Sequence, residues 1–241
     1  MSKVPPVILA FWIVKILATT LGETGGDALS MTMKLGYATS TLVFLAFFAV
    51  ALAAQLATKR YHPVAYWLVV VATTTVGTTM SDYFDRTLGL GYVKSSAILL
   101  ALVVATLFVW KKTTGAIAVD QVTTRGNEAF YWITILISNT LGTALGDFAA
   151  DDAGLGFEKG SLVFAGMIAL VALAHFFTKA PKPILFWAAY VLTRPLGATL
   201  GDTLTKPHEN GGLAIGRIMS SAVIAAAMIV VIATTRLRKR T

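Results

Sequence analysis

The chain has 241 residues, of which 56% are hydrophobic and only 13% charged, and its mean hydropathy is +0.73. These values exclude an ordinary soluble domain and indicate a multi-pass membrane protein. The absence of cysteine excludes disulfides and thiolate metal sites. The net charge of +8 comes largely from short loops, where it sets membrane orientation, and does not indicate nucleic-acid binding.

Eight segments are apolar over the roughly 20 residues that a helix needs to cross a hydrocarbon core. In chain order they cover residues 4–22, 38–58, 64–81, 95–110, 129–146, 161–178, 183–200 and 213–235. The first segment imitates a signal peptide, but no A-x-A-like cleavage site follows it, so we interpret it as the first helix. The predicted fold is an all-α polytopic membrane protein with eight transmembrane helices.

An internal repeat marks every second helix. Each copy has an aromatic–Trp pair, a glycine ten residues after the tryptophan and an aspartate five residues after the glycine. The four copies read FWIVKILATTLGETGGD, YWLVVVATTTVGTTMSD, YWITILISNTLGTALGD and FWAAYVLTRPLGATLGD, and their tryptophans are separated by 55, 65 and 55 residues. Two crossings return the chain to the same side, which predicts four parallel two-helix repeats related by an axis along the membrane normal.

The charges predict how these repeats are oriented. The side of the two termini carries Lys3, Lys59, Arg60, Lys111, Lys112, Arg125, Lys179, Lys182, Arg236, Arg238, Lys239 and Arg240, with only Asp120 and Glu128 as acids. The positive-inside rule makes that side cytoplasmic, in a bacterial inner membrane. The other ten acids fall in the opposite half, which is predicted to be acidic. The expected organisation is repeats one and two in 1–110, a cytoplasmic linker in 111–128, and repeats three and four in 129–241.

The repeated aspartates are the candidate metal ligands. Residues four and seven positions before each aspartate share its helix face, which adds one further carboxylate and several hydroxyls. The predicted principal ligands are Asp27, Asp82, Asp147, Asp202 and Glu23, and the secondary ligands are Thr20, Thr75, Thr78, Thr140 and Thr143. Converging carboxylates need protons or bound cations, and oxygen ligands without His or Cys favour Mn²⁺, Mg²⁺ or Ca²⁺. The alternative interpretation is that the aspartates are helix caps.

Small residues in the same helices predict close packing. They are spaced i, i+4 as Gly22/Gly26, Gly77/Ser81, Gly142/Gly146 and Gly197/Gly201. Such small-xxx-small faces let helix backbones approach one another in lipid. We expect the first helix of each repeat to line the centre, while the plainer second helix supports it from outside.

Two cations lie deep within predicted helices. Lys15 and Arg194 both face the glycine side of their helices, and Thr19, Thr74 and Asn139 occupy the positions equivalent to Arg194. Unpaired charges are costly there, so Lys15, Arg194 and Asn139 are expected to balance the acidic cluster or to gate it. Lys15 is alternatively expected to pass protons. In a third interpretation, Lys15 and Arg194 bind an anionic substrate and the aspartates balance them.

The whole chain resembles an uncharacterised family of bacterial multi-pass membrane-anchored proteins. The resemblance rests on the segment from Lys3-Val4-Pro5 to Ser30, and it implies no activity. The run from Glu23 to Asp27 is also similar to the E-x-G-D-(K/R)-(T/S) signature of manganese and calcium exporters, with one extra residue and four copies in place of two. That similarity implies manganese as the metal.

These observations predict a transporter that moves a divalent metal cation, with proton coupling possible. The metal is substrate, no organic cofactor is expected, and membrane lipid is the remaining partner. The sequence has no P-loop, nucleophile elbow or dinucleotide fingerprint, so an enzyme is not predicted. The competing prediction is a membrane scaffold or sensor that transports nothing, in which the repeat serves packing alone.

Overall fold

The computed structural model describes residues 3–119 and 122–237. That part of the chain forms eight long helices and no strand: α1 Leu9–Asp27, α2 Tyr37–Ala57, α3 Pro63–Asp82, α4 Tyr92–Thr114, α5 Arg125–Asp147, α6 Gly156–Phe177, α7 Lys182–Thr205 and α8 Arg217–Leu237. Of the residues used to predict orientation, Asp120, the Arg236 side chain, Arg238, Lys239 and Arg240 lie outside the description.

Local sequence explains where several helices begin. α1 starts at Leu9 and not at residue 4, because a residue that precedes proline, as Val4 and Pro5 both do, disfavours the helical conformation. His62 accepts a hydrogen bond from the Ala65 backbone N–H and precedes Pro63 at the start of α3. Since α4 continues to Thr114 and α5 begins at Arg125, the connection between these two helices is shorter than the predicted linker 111–128.

Seven of the eight helices are long and apolar enough to cross a membrane. The exception is α1, which has 19 residues and contains both Lys15 and Glu23. The chain is therefore a helical membrane protein. The end of the bundle that carries the repeat tryptophans is called the tryptophan end. The opposite end, which carries the repeat aspartates, is called the aspartate end.

The four helices that carry the repeat form a closed ring. α1 contacts α3, α3 contacts α5, α5 contacts α7, and α7 returns to α1. The other four helices lie outside this ring, and each packs on the inner helix of the following repeat: α2 on α3, α4 on α5, α6 on α7 and α8 on α1. The inner helices are mostly buried and the outer ones mostly exposed, as expected of helices that face lipid.

The repeated glycines make this ring possible, as predicted. The glycine ten residues after each tryptophan lies against the next inner helix, in the pairs Gly22–Thr74, Gly77–Asn139, Gly142–Arg194 and Gly197–Thr19. A Cβ atom built on Gly142 would lie only 2.4 Å from the Cβ of Arg194. Side chains larger than hydrogen therefore cannot occupy these positions unless the helices move apart.

Aromatic rings close the tryptophan end. Each repeat tryptophan packs on the aromatic residue of a neighbouring repeat, in the pairs Phe11–Trp67, Tyr66–Trp132, Tyr131–Trp187 and Phe186–Trp12, with ring centroids 5.6–5.9 Å apart. These eight residues are called the aromatic ring. Inside it, the hydroxyls of Tyr66 and Tyr131 are 2.5 Å apart. Aromatic contacts thus join every pair of neighbouring repeats at this end.

The aspartate end has irregular backbone. Three inner helices pass directly into a five-residue π-helical turn, at Ala28–Thr32, Tyr83–Thr87 and Phe148–Asp152. π-Helical turns inside helices are often found at functional sites. Every outer helix then starts at or just after a glycine with positive φ, at Gly36, Gly91, Gly156 and Gly216.

Candidate functional site

Four rows of side chains line the axis of the inner ring. Each row follows one inner helix in steps of four residues, and together they comprise Lys15/Thr19/Glu23/Asp27, Val70/Thr74/Thr78/Asp82, Ile135/Asn139/Thr143/Asp147 and Tyr190/Arg194/Ala198/Asp202. All sixteen residues are buried. The ridge i, i+4 on a helix surface therefore determines which polar groups meet in the interior.

Arg194 occupies the middle of this interior. Its Nη2 atom donates hydrogen bonds to Glu23 Oε2 at 2.9 Å, Thr78 Oγ1 at 2.6 Å and Thr143 Oγ1 at 2.7 Å. Glu23, Thr78 and Thr143 are equivalent positions of three repeats. The fourth repeat has Ala198 there, so one guanidinium nitrogen is bound by every polar side chain of this layer.

Three carboxylates meet beside Arg194. Glu23, Asp147 and Asp202 each offer an oxygen, and the three oxygens lie within 4.8 Å of one another. All three residues are at most 4% exposed. Asp202 Oδ1 accepts no hydrogen bond from the described residues, although Lys206 Nζ lies 3.4 Å away. These three residues are called the carboxylate triad, and their hard oxygen ligands suit a Mg²⁺, Mn²⁺ or Ca²⁺ ion.

The remaining two predicted principal ligands, Asp27 and Asp82, lie outside the carboxylate triad and are paired with arginines. Asp27 Oδ2 accepts a hydrogen bond from Arg217 Nε at 3.2 Å. Arg86 bridges two repeats, with its Nε 3.0 Å from Asp82 Oδ1 and its Nη2 3.3 Å from Asp147 Oδ2. The four repeated aspartates do converge at one end, as predicted, but they do not form one ring of free ligands.

The prediction of an acidic outer half overlooked these basic partners. The interior and its mouth hold five of the buried carboxylates together with five cations. The carboxylates are Glu23, Asp27, Asp82, Asp147 and Asp202, and the cations are Lys15, Arg86, Arg194, Lys206 and Arg217. The formal charges of these ten residues sum to zero. The sequence signal was available for two of them, because Arg86 and Lys206 stand four residues after a repeated aspartate, within one helical turn.

Lys206 is the basic residue just beyond the end of α7. Burial lowers its pKa, but Asp202 and Asp27 raise it by more, so the net shift is upward from the ordinary lysine value. Lys206 therefore stays protonated and keeps a positive charge beside Asp202. Its ammonium group also lies 5.6 Å from the centre of the Phe157 ring.

Lys15 does not pair with an acid. Its Nζ donates to Asn139 Oδ1 at 3.3 Å and lies 4.2 Å from the centre of the Tyr190 ring, and no described carboxylate forms an ion pair with it. Asn139 is held in place because its Nδ2 donates to Thr73 Oγ1 at 3.0 Å. Lys15 and Asn139 thus lie between the aromatic ring and Arg194.

Three of the predicted secondary ligands point elsewhere. Thr20 Oγ1 donates to the Ile16 carbonyl, Thr75 Oγ1 to those of Val71 and Ala72, and Thr140 Oγ1 to that of Leu136. These residues lie seven positions before an aspartate, beside the interior rows. Their hydroxyls are used by their own helix, as is common for threonine within helices. The structure brings only Thr78 and Thr143 to the centre.

The interpretation of the aspartates as helix caps has no support in the geometry. Asp27, Asp82 and Asp147 precede the π-helical turns without capping them by a side-chain hydrogen bond. Asp202 lies inside α7, three residues before its end. Their side chains are directed instead to the basic residues described above.

A ring of inner helices with a shared polar interior defines the class of this molecule: a helical membrane protein built from four repeats. The chain belongs to the family described as Repeat of Unknown Function (DUF347), whose model matches residues 10–61, 65–116, 130–180 and 185–241. These four matches begin two residues before each repeat tryptophan. No curated protein and no solved structure matches the chain.

Proposed function

We propose that this protein is a membrane transporter for a divalent metal cation, and that the carboxylate triad binds the ion. One observation carries the proposal: Glu23, Asp147 and Asp202 place three buried carboxylate oxygens within 4.8 Å of one another. The Thr78 and Thr143 hydroxyls accept hydrogen bonds from the same Arg194 nitrogen that binds Glu23. This set of ligands suits Mn²⁺, Mg²⁺ or Ca²⁺, and the similarity to exporters favours manganese.

Arg194 acts in this proposal as a tethered counter-ion. Its guanidinium neutralises Glu23 and holds the two hydroxyls when no metal is bound, so the carboxylates do not repel one another across an empty site. An arriving divalent ion competes with Arg194 for Glu23, and the arginine must withdraw. Because the buried pair is costly to break, this competition limits affinity and allows the ion to leave again.

Proton coupling follows from the same charges. Two positive charges enter when a divalent ion binds, while the five cations of the interior remain. With the five carboxylates ionised, release of the Lys15 proton offsets one of these two charges in the low-dielectric interior. Exchange of one metal ion against protons is therefore the expected mode of transport.

The membrane arrangement belongs to this proposal as well. All eight helices cross the membrane, including α1, since its charged Lys15 and Glu23 are buried in the bundle at 0% and 4% exposure and do not face lipid. The four repeats are related by an axis along the membrane normal. The tryptophan end faces the cytoplasm of a bacterium, and the aspartate end faces outward, where the ion enters or leaves.

The first test is ion flux into proteoliposomes. Purified wild type is compared with a variant in which Asp27, Asp82, Asp147 and Asp202 are all changed to Asn, using Mn²⁺, Mg²⁺ and Ca²⁺ in parallel and a pH dye inside the vesicles. We expect wild type to transport at least one of the ions with a pH change in the lumen, and the variant to lose the flux. Glu158→Gln is the matched control, because Glu158 is an exposed acid near the same end and should leave flux unchanged.

The opposite result excludes the proposal. Absence of flux for all three ions, from wild type that is folded and correctly inserted, removes divalent-cation transport. Wild-type flux that persists in the aspartate variant removes the aspartates from the path. A scaffold would tolerate Asp→Asn changes at several repeats without any functional loss.

A further inference from the structure

The interior has a second polar compartment, on the tryptophan side of Arg194. It comprises Lys15, Asn139, Tyr190 and Arg194, and Lys15 Nζ lies 3.3 Å from Asn139 Oδ1 and 4.2 Å from the centre of the Tyr190 ring. The equivalent residues of the other two repeats, Val70 and Ile135, are apolar and fully buried. This compartment is called the inner chamber. It takes no part in the binding of a metal by the carboxylate triad.

The inner chamber is rich in hydrogen-bond donors that have no acceptor. Arg194 uses only Nη2 for the carboxylate site, and its Nε and Nη1 are buried without a hydrogen-bond partner among the described residues. The Tyr190 hydroxyl is also buried and without a partner. Lys15 has three N–H groups but one described acceptor, Asn139 Oδ1 at 3.3 Å. Buried donors normally find acceptors, so the chamber favours an acceptor-only ligand.

The charge of the chamber points the same way. Arg194 is neutralised by Glu23 at 2.9 Å, whereas Lys15 is fully buried and forms no ion pair with a described carboxylate. A buried charge without a counter-ion is expensive, and the excess here is a single positive charge.

We infer that the inner chamber binds one small monovalent anion of the halide class, held by Lys15, Tyr190 and the free edge of Arg194. One negative charge balances the one unpaired cation, so a multiply charged oxyanion such as phosphate does not fit. A halide accepts hydrogen bonds from several directions and tolerates apolar neighbours, which Val70, Ile135 and the Tyr190 ring supply. The anion would accept hydrogen bonds from Nε and Nη1 of Arg194 while Nη2 of the same guanidinium binds Glu23.

The test is thermal unfolding of purified protein in detergent, in sodium chloride, sodium bromide or sodium gluconate at equal ionic strength. Ligand at 100 times its Kd favours the folded state by about 100-fold, so wild type should unfold at a higher temperature in chloride and bromide than in gluconate. Lys15→Gln removes the positive charge but keeps a donor toward Asn139, and it should abolish the difference. Lys94→Gln, on an exposed lysine, is the matched control and should respond as wild type does.

Either of two results overturns the inference. Wild type that unfolds at the same temperature in all three salts has no halide site, and its chamber donors are satisfied by water or by an uncharged Lys15. A halide effect of equal size in Lys15→Gln places the anion elsewhere. If Lys15→Gln does not fold, equilibrium dialysis of wild type with radioactive chloride decides: about one bromide-displaceable ion per chain supports the site, and none refutes it. Because no transport is measured, these outcomes are independent of the proposed metal function.

Discussion

At the scale of single residues, Arg194 connects the two halves of the polar interior. Its Nη2 bonds the layer of Glu23, Thr78 and Thr143, and its Nε and Nη1 are buried without a partner among the described residues. Every other repeat has a short polar residue at this position, so the Arg194 side chain alone supplies the hydrogen-bond donor to this layer. The interior is consequently asymmetric although its helices are repeated.

Removal of Glu23 should test how far Arg194 depends on it. Glu23→Gln leaves the buried guanidinium without its charge partner, which typically costs about 3–5 kcal/mol of folding free energy. The double variant Glu23→Gln/Arg194→Gln removes both charges and should recover most of that loss. Denaturation of both variants and of wild type in detergent measures the difference. Equal instability of the single and double variants would contradict a mutual pairing.

Residue-level prediction from the sequence succeeded where a charge lay deep in a helix. Lys15 and Arg194 were recognised as interior groups because an apolar helix has few ways to bury a cation. Arg217 could not be assigned in the same way, since its partner Asp27 is 190 residues away and no local spacing joins them. Thr20, Thr75 and Thr140 lie beside the interior rows, because those rows follow steps of four and not of seven, and their role as ligands stays a prediction.

At the scale of helices, the glycines decide how closely the inner ring can close. Each repeat glycine faces the side chain at one equivalent position of the next inner helix, and four such contacts complete the circle. The Trp–Gly–Asp spacing predicted the inner helices and their small-residue faces. It did not predict that every outer helix packs on the following repeat, because hairpin sequences alone do not specify which neighbour a helix covers.

Alanine at Gly142 should separate α5 from α7. The added Cβ would lie 2.4 Å from both Cβ and Cγ of Arg194, and overpacking of this kind costs about 1–3 kcal/mol. Gly166→Ala in α6 is the matched control, since no atom lies within 4 Å of its new Cβ and alanine favours the helix by about 1 kcal/mol. The thermal unfolding temperature should therefore fall for Gly142→Ala and stay unchanged or rise for Gly166→Ala. The reverse order would refute the close approach.

At the scale of the whole molecule, α8 closes the circle by returning to α1. The Ser221 and Thr24 hydroxyl oxygens are 2.8 Å apart across this contact. The hydrophobic pattern predicted the eight helices. The order of helices around the ring could not be predicted, since apolar lipid-facing surfaces of α2, α4, α6 and α8 are alike in composition.

The packing of α8 on α1 can be tested by cross-linking, because the chain has no cysteine of its own. Thr24→Cys with Ser221→Cys brings two thiols within the range of a disulfide, and mild oxidation should join α1 to α8. Thr24→Cys with Ser161→Cys on α6 is the control, because α6 lies in the second half of the chain and packs on α7, and it should remain reduced. The readout is electrophoretic mobility after cleavage at a protease site inserted between the two halves. A disulfide in the control pair, or none in the test pair, would contradict the packing of α8 on α1.

The displacement of each outer helix onto the next repeat has a consequence for how such a molecule can be built. In a polypeptide with only two of these repeats, the last outer helix would have no inner helix to pack on, and the first inner helix would have no outer helix packed on it. Two identical half-length chains solve both problems at once by exchanging their last helices, α4 of one lying on α1 of the other. Fusion of two such partners end to end would turn an exchanged dimer into a single self-sufficient chain.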